Sequence, residues 1–261
     1  MTRIDLIQIE HNKKIGDICE YIEPNITQDC IFYADYEPIG FYMTKMPEKM
    51  CKLADLANAE FNSNRVPKTA MVRTNGEPGT MKSRGVQEIK QMSAIIGSTA
   101  PKPHLGRNYP NKHSNHSVKS CQTFIKAMIM LAKESEKLIK EIIPSQYDKQ
   151  LELFKDTKPK WKLGELFTSS ISNYNISAPF HRDNLNMQGA VNVIICKRLN
   201  SKGGDLHIPD YNATIGQVDN SILVYPAWRN MHGVTPIIPT FEGGYRNSLV
   251  FYPLKAFKGL D

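Results

Sequence analysis

His181 and Asp183 stand two residues apart, His232 follows forty-nine residues after the aspartate, and Arg246 comes fourteen residues later. Two imidazoles and one carboxylate can take one face of an octahedral metal ion and leave its other positions open, a ligand set suited to Fe(II) that must also bind a cosubstrate and O2. On a strand, residues two apart project to one side, so a regular strand through 181–183 would aim both side chains at one ion. His232 would then close the triangle from a neighbouring strand. A lone His-X-Asp is more often a pair of ordinary polar residues at a sheet edge. The ordered series His181, Asp183, His232, Arg246, Ser248 favours a metal site.

Arg246 lies within the apolar run Tyr245-Arg246-Asn247-Ser248-Leu249-Val250-Phe251-Tyr252. An unpaired guanidinium is costly to bury there and calls for an anion, which a carboxylate gripped through two parallel N–H bonds would supply. A structural salt bridge to an internal Asp or Glu is the alternative. Ser248 shares the strand face of Arg246 and can add a hydroxyl. Asn173 has the strand parity of His181 and is a further candidate to hold a small ligand, with Tyr174 and Asn175 beside it.

The elements that must position these residues follow from periodicity and turn chemistry. Residues Cys30–Tyr33 and Gly40–Met43 predict a hairpin. Met50, Leu53, Ala54, Ala57 and Phe61 recur at helical spacing between Pro47 and Phe61. Asn75 to Gly79 is a turn cluster, Val86–Ile96 reads as a short helix, and Gly97–Ser117 reads as turns throughout. Ser117 is the expected N-cap of a helix carrying Phe124, Met128, Leu131, Leu138 and Ile142 until Pro144 stops it, and a further helix is expected at Gln146–Phe154. Beyond Pro159 the pattern becomes short apolar strands: 164–176, 190–198, 205–208, 221–225, 229–234 and 248–252. That spacing, with its Lys202-Gly203-Gly204 turn, suits a double-sheet jelly roll of the cupin type. The expected class is α+β, a double-stranded β-helix core buttressed by N-terminal helices. One domain spans 1–261, with a helical, basic-loop part over 1–160 and a jelly-roll core over 161–261.

The net charge is +7. Between Asn62 and Ser120 ten Lys or Arg face only Glu77 and Glu88, so this stretch at +8 accounts for the whole excess. It is also rich in Gly, Pro, Ser and Asn, which places its charges on loops able to reach a polyanion; a merely solubilising basic surface is the alternative. Lys82, Arg84, Lys102, Arg107 and Lys112 are the candidate phosphate contacts, and His104, His113 and His116 in the same stretch are read as facing phosphates. Trp228, Tyr109 and Phe180 are candidates to stack on a base, although core packing is their commoner use. His207 is expected at the surface or the rim. Five cysteines without a Cys-X-X-Cys pair read as reduced, buried thiols. No apolar run reaches signal-peptide or membrane-spanning length, so the expected location is intracellular, cytoplasmic and not secreted, without membrane contact.

Over residues 165–255 the order His-X-Asp, distal His and Arg-X-Ser on a final apolar strand resembles the Fe(II)/2-oxoglutarate dioxygenase superfamily. The His232-Gly233-Val234-Thr235-Pro236 run, the Gly203-Gly204-Asp205-Leu206 hairpin and the closing Ser248–Tyr252 strand are similar to the TET/JBP group, which hydroxylates methyl groups of DNA bases. The cysteine-rich zinc region of the animal members is absent from the sequence, so the resemblance is to a compact microbial or viral relative. It implies Fe(II) on His181, Asp183 and His232, and 2-oxoglutarate chelating that iron with its distal carboxylate on Arg246, Ser248 and Asn173. It also implies O2 at the last position, and DNA held by the basic loops while a 5-methylcytosine or thymine is flipped out to be hydroxylated. Two other readings stay open: a 2-oxoglutarate-dependent hydroxylase of a protein side chain or small metabolite, and a nucleic-acid-binding protein without enzymatic activity.

Overall fold

The computed structural model describes residues 1–70, 82–83, 87–103 and 106–260. Its helices are α1 (Glu48–Asn62), α2 (Gln122–Ile142) and α3 (Pro144–Leu153). The larger sheet is built from β1 (Thr2–Asp5), β2 (Cys30–Ala34), β3 (Glu37–Met43), β4 (Met92–Thr99) and β5 (Ser169–Tyr174). The smaller sheet starts with β6 (Ala178–His181), after which β7 (Asn192–Leu199) returns to the larger one. Strands β8 (Leu206–Ile208) and β9 (Ala213–Ile215) are in the smaller sheet, β10 (Ile222–Tyr225) in the larger, β11 (His232–Val234) in the smaller, and β12 (Tyr245–Tyr252) in the larger.

The larger sheet has ten strands in the order β1-β2-β3-β10-β7-β12-β5-β4, ending on the two-residue strand Thr69–Ala70, with Asn111–Lys112 also paired to β4. The smaller sheet runs β6-β11-β8-β9. Period-two alternation gives each face of the larger sheet a separate task. On β7 and β12 the side chains of Val193, Ile195, Leu249 and Phe251 join the core formed with α1 and α2. Their neighbours Ile194, Arg246, Ser248, Val250 and Tyr252 face a cavity on the opposite side. Leu223 and Tyr225 of β10 pack instead with Leu206, Ile208, Ala213 and Ile215 of the smaller sheet. Helices thus cover one face of the large sheet and the small sheet covers part of the other.

Helix α2 buries Phe124, Met128, Leu131 and Leu138 at the expected spacing. Pro144 disfavours helical geometry at Ile143 (φ −132°, ψ 65°) and serves as the first residue of α3, where a missing N–H costs nothing. Helix α2 starts at Gln122 rather than after Ser117, because two 3₁₀ turns, Ser114–Ser117 and Lys119–Cys121, intervene. The Gln122 amide ties them down by donating to the carbonyls of His116 and Val118.

The short helix expected at 86–96 is instead strand. Gln87–Glu88 pairs with Lys82–Ser83, and β4 lies along β5 through six register pairs from Met92–Tyr174 to Gly97–Ser169. With apolar or small residues buried toward both faces, β4 shows no alternation, and its pairing with β5 decides the conformation. Strands β2, β3 and β4 come from the first 160 residues yet belong to the same sheet as β5, β7, β10 and β12, so residue 160 marks no boundary within the sheet. The turn cluster 75–79 lies outside the described residues. Among those described, no helix is long and apolar enough to cross a membrane.

Candidate active site

His181 is the last residue of β6 and pairs in register with His232, the first residue of β11. Asp183 is not on the strand. The chain turns after His181, and the Asp183 backbone N–H donates to the carbonyl of Ala227 while its own carbonyl accepts from Asn186. The regular strand expected through 181–183 is therefore replaced by a strand end and a turn, which still brings the three side chains together. One ligand-capable atom from each of His181, Asp183 and His232 lies within 4.8 Å of the others.

Hydrogen bonds decide which atoms are free to bind an ion. Nδ1 of His181 lies 2.8 Å from the Pro179 carbonyl, and Nδ1 of His232 lies 3.2 Å from the Asn230 carbonyl. A carbonyl only accepts, so each Nδ1 carries a proton and Nε2 is the ring nitrogen left to serve as a ligand. Oδ2 of Asp183 accepts from the side-chain amides of Asn186 and Asn192, both at 3.1 Å. That leaves Oδ1, which lies 3.6 Å from Nε2 of His181. Burial, reinforced by the neighbouring His181, holds the pKa of His232 down at about 4 against the opposing pull of Asp183, so its imidazole is a neutral donor at physiological pH. Two neutral nitrogens and one carboxylate oxygen fit a divalent first-row metal such as Fe(II).

All three line a cavity of about 500 Å³ between the two sheets. Arg246, Ser248 and Asn173 line it too, and Ser248 and Asn173 are direct register partners on β12 and β5. Arg246 is only 3% exposed and its Nε has no hydrogen-bond partner. Among the described residues no carboxylate forms an ion pair with it, so the salt-bridge alternative fails. Burial lowers its pKa, since a guanidinium taken out of water is disfavoured in its charged form. Room for it depends on Gly204: with φ of +71°, a Cβ there would stand 2.4 Å from Cδ of Arg246. The hairpin expected at Gly203–Leu206 is instead a crossing between sheets, since Ser201–Gly203 pairs with Ile237–Pro239 while Leu206–Ile208 pairs within the smaller sheet. Reciprocal bonds, Asp205 N–H to Thr235 Oγ1 and Thr235 N–H to the Asp205 carbonyl, lock it to the segment after His232.

Two residues in this cavity had no motif to announce them. Gln217 is 1% exposed and both its side-chain polar atoms lack partners. Arg182, between two of the candidate ligands, is exposed and lines the cavity mouth.

The remaining candidates divide. Lys102 is exposed on the cavity mouth, Arg107 is exposed and pairs with it through the backbone, and Lys112 donates to Ser98 Oγ. Lys82 is on the two-residue strand Lys82–Ser83, while Arg84 and His104 lie outside the described residues. Trp228 is not in the cavity; its indole donates to the Ala190 carbonyl and lines a separate, smaller pocket. Phe180 is core, packed with Cys19 and Met231, whereas Tyr109 is exposed. His207 is buried rather than at the rim, hydrogen-bonded to Thr214 Oγ1, and burial brings its pKa to about 4. His113 and His116 accept from the backbone N–H groups of Asn115 and Gly97, and burial lowers both pKa values. Their rings are neutral braces of the loop and not cations facing phosphate. Tyr174 stacks between Phe61 and Tyr245, and Asn175 caps Arg246 N–H with its side-chain oxygen, so both are structural.

No protein-family model matches the sequence, and no curated protein matches it. The fold matches that of NgTET1, solved in complex with 5mC DNA, with a TM-score of 0.62 at 11% identity over 98% of this chain and 83% of that one. Looser matches are a 2OG-Fe(II) oxygenase family oxidoreductase from Burkholderia pseudomallei (TM-score 0.43, 11% identity, 82% of this chain and 84% of that one) and OsALKBH1 (TM-score 0.41, 12% identity, 89% and 100%).

Proposed function

We propose that this chain is an Fe(II)/2-oxoglutarate-dependent dioxygenase, a single domain whose two facing sheets form a double-stranded β-helix, and that it hydroxylates the 5-methyl group of a pyrimidine base in DNA. One observation carries the enzymatic reading. Three free donor atoms converge in the same cavity as a buried guanidinium that has no carboxylate partner among the described residues and an orphaned Nε, so one small diacid can meet both a metal and an arginine. Nε2 of His181, Nε2 of His232 and Oδ1 of Asp183 would hold the iron. Arg246 would clamp the distal carboxylate of 2-oxoglutarate, with Ser248 and Asn173 supplying further hydrogen bonds.

With iron, 2-oxoglutarate and O2 bound, a centre of this kind couples decarboxylation of the cosubstrate to succinate and CO2 with insertion of one oxygen atom into a C–H bond. The protein's part is positional. Asn186 and Asn192 restrain the Asp183 carboxylate, the Pro179 and Asn230 carbonyls fix the imidazole rings, and the walls of Ile171, Ile194 and Val250 keep the pocket apolar.

The base-methyl substrate is supported by the TET/JBP-like motifs, the basic 62–120 stretch, the fold shared with a protein solved on 5mC DNA, and Lys102 and Arg182 at the mouth. Reaching such a methyl group inside a duplex requires the nucleotide to be flipped from the stack. The test is mass spectrometry of nucleosides from methylated and unmethylated DNA incubated with protein, Fe(II), ascorbate and 2-oxoglutarate. Appearance of a hydroxymethylpyrimidine is the expected result. Succinate formation with every nucleoside unchanged would transfer the activity to a protein or metabolite substrate, and no succinate under any condition would sink the oxygenase reading.

A further inference from the structure

The mouth of the cavity opens among Thr99, Lys102, Arg182, Leu185 and Leu254. Four chain segments meet there through specific contacts. Lys255 N–H donates to the Leu185 carbonyl, and Asn186 and Leu254 form an antiparallel bridge, so the C-terminal segment abuts the turn that carries Asp183. The ring of Phe257 packs 5.4 Å from that of Trp161, and Gly259 N–H donates to the Asp156 carbonyl, which brings in the 158–162 segment. Ser98 Oγ donates to the Trp161 carbonyl and itself accepts from Lys112 Nζ, closing the circuit back to the basic loop.

Each of these segments contributes cations. Segment 98–112 carries Lys102, Arg107 and Lys112; segment 158–162 carries Lys158, Lys160 and Lys162; Arg182 is on the 182–186 turn; Lys255 and Lys258 are on segment 254–260. Asp183, a candidate metal ligand, is the acid within these four segments, and Asp156 and Asp261 flank them in the sequence. Lys160, Arg182, Lys255 and Lys258 are exposed. Lys160 Nζ lies 5.0 Å from the Trp161 ring centroid and Lys162 Nζ 5.8 Å from that of Phe154, so each ammonium rests against an aromatic face. The sequence alone directs attention to 62–120, whereas the fold sets residues 158–162 and 254–260 against the segments that line the mouth.

We infer that the segments 158–162 and 254–260 continue the cations Lys102, Arg107 and Lys112 into one phosphate-tracking face around the cavity mouth, whose partner is the backbone of a nucleic acid. A set of ammonium and guanidinium groups that outnumber the nearby carboxylates suits a regularly spaced polyanion, and its position would present a base to the cavity while phosphates lie on either side. This inference rests on the DNA-directed reading above but concerns different residues, none of which is placed on the metal or the cosubstrate.

The test compares full-length wild type with the double variant K160Q/K258Q and with K126Q/K133Q, whose exposed lysines lie on α2, behind the opposite face of the large sheet. Binding of a fluorescent methylated duplex is measured between 50 and 300 mM salt, a range of about the span over which phosphate contacts show. Each phosphate contact contributes about 0.9 to the slope of log affinity against log salt, so K160Q/K258Q should flatten the slope by about 2. K126Q/K133Q should leave the slope as in wild type, and succinate formation without DNA should be equal in all three proteins. A wild-type slope in K160Q/K258Q, or equal flattening in K126Q/K133Q, overturns the face. If no protein binds DNA while succinate still forms, the face falls and the oxygenase stands. If the slopes separate as expected but no base is oxidised, the nucleic-acid face stands and the base-methyl substrate falls.

Discussion

Asp183 and Arg246 carry the two residue-scale tests. Asp183→Ala removes the sole anionic ligand while sparing both imidazoles, so a divalent metal should no longer raise the melting temperature and succinate formation should fall at least about 100-fold, within the range seen when an essential catalytic group is removed. Far-UV circular dichroism should stay as in wild type; metal-dependent stabilisation that survives would exclude Asp183 as a ligand. Arg246→Lys keeps the charge and loses the planar fork, so the apparent KM for 2-oxoglutarate should rise by about tenfold or more, equivalent to about 1.4 kcal/mol of lost binding. An unchanged KM would move the cosubstrate elsewhere in the cavity. Both tests depend on atoms with no competing partner, Oδ1 of Asp183 beside the other ligands and Nε of Arg246 in the pocket wall.

Among the elements, the Gly203-Gly204 turn leaves no room for a side chain. Gly204→Ala must place a methyl against Cδ of Arg246 at a φ of +71°, a conformation that side-chain-bearing residues rarely adopt. The expected result is a loss of about 1–3 kcal/mol in urea denaturation together with weakened 2-oxoglutarate binding. Unaltered stability would mean that Arg246 yields without cost. The Gly203-Gly204 turn and the Arg-X-Ser strand were legible in the sequence because their function lies in local pattern, two glycines in a turn and Arg246 and Ser248 at period two, whereas the turn's joining of two different sheets in place of a hairpin was not. Helices α1 and α2 were legible for the same reason. Strand β4 was not, since burial on both faces erases the alternation that distinguishes strand from helix. The geometry of Asp183 was hidden as well, because nothing in the tetrapeptide Phe-His-Arg-Asp shows that the strand stops at His181. Gln217 carries no local signal at all; only the fold places its unpartnered amide in the cavity.

At the scale of the whole molecule, stability should depend on pH through Glu136 of α2, whose Oε1 accepts from the backbone N–H groups of Glu165 and Leu166 where the helix meets the chain leading into β5. Burial raises its pKa from 4.5 to about 7 despite those bonds. A carboxyl whose folded pKa lies above its unfolded one favours folding while protonated, so this contribution is complete below about pH 4.5 and lost as pH climbs to about 7, about 3 kcal/mol in all. Glu136→Gln should therefore melt higher than wild type at pH 8, with the gap closing toward pH 4.5 in thermal scans; a gap that ignores pH would show that Glu136 is not the titrating group. The smaller sheet has a vulnerability of another kind. Gly16 and Asp17 bond to Phe180 along β6, and Asn25 and Ile26 bond to Thr214 along β9, so one stretch of chain seals both outer margins of the layer that holds the two histidines. Clipping the protein between Ile26 and Cys30 and letting that stretch leave would unmask strand backbone on either flank, and the histidine-bearing layer would become a template on which a second molecule could dock and aggregate.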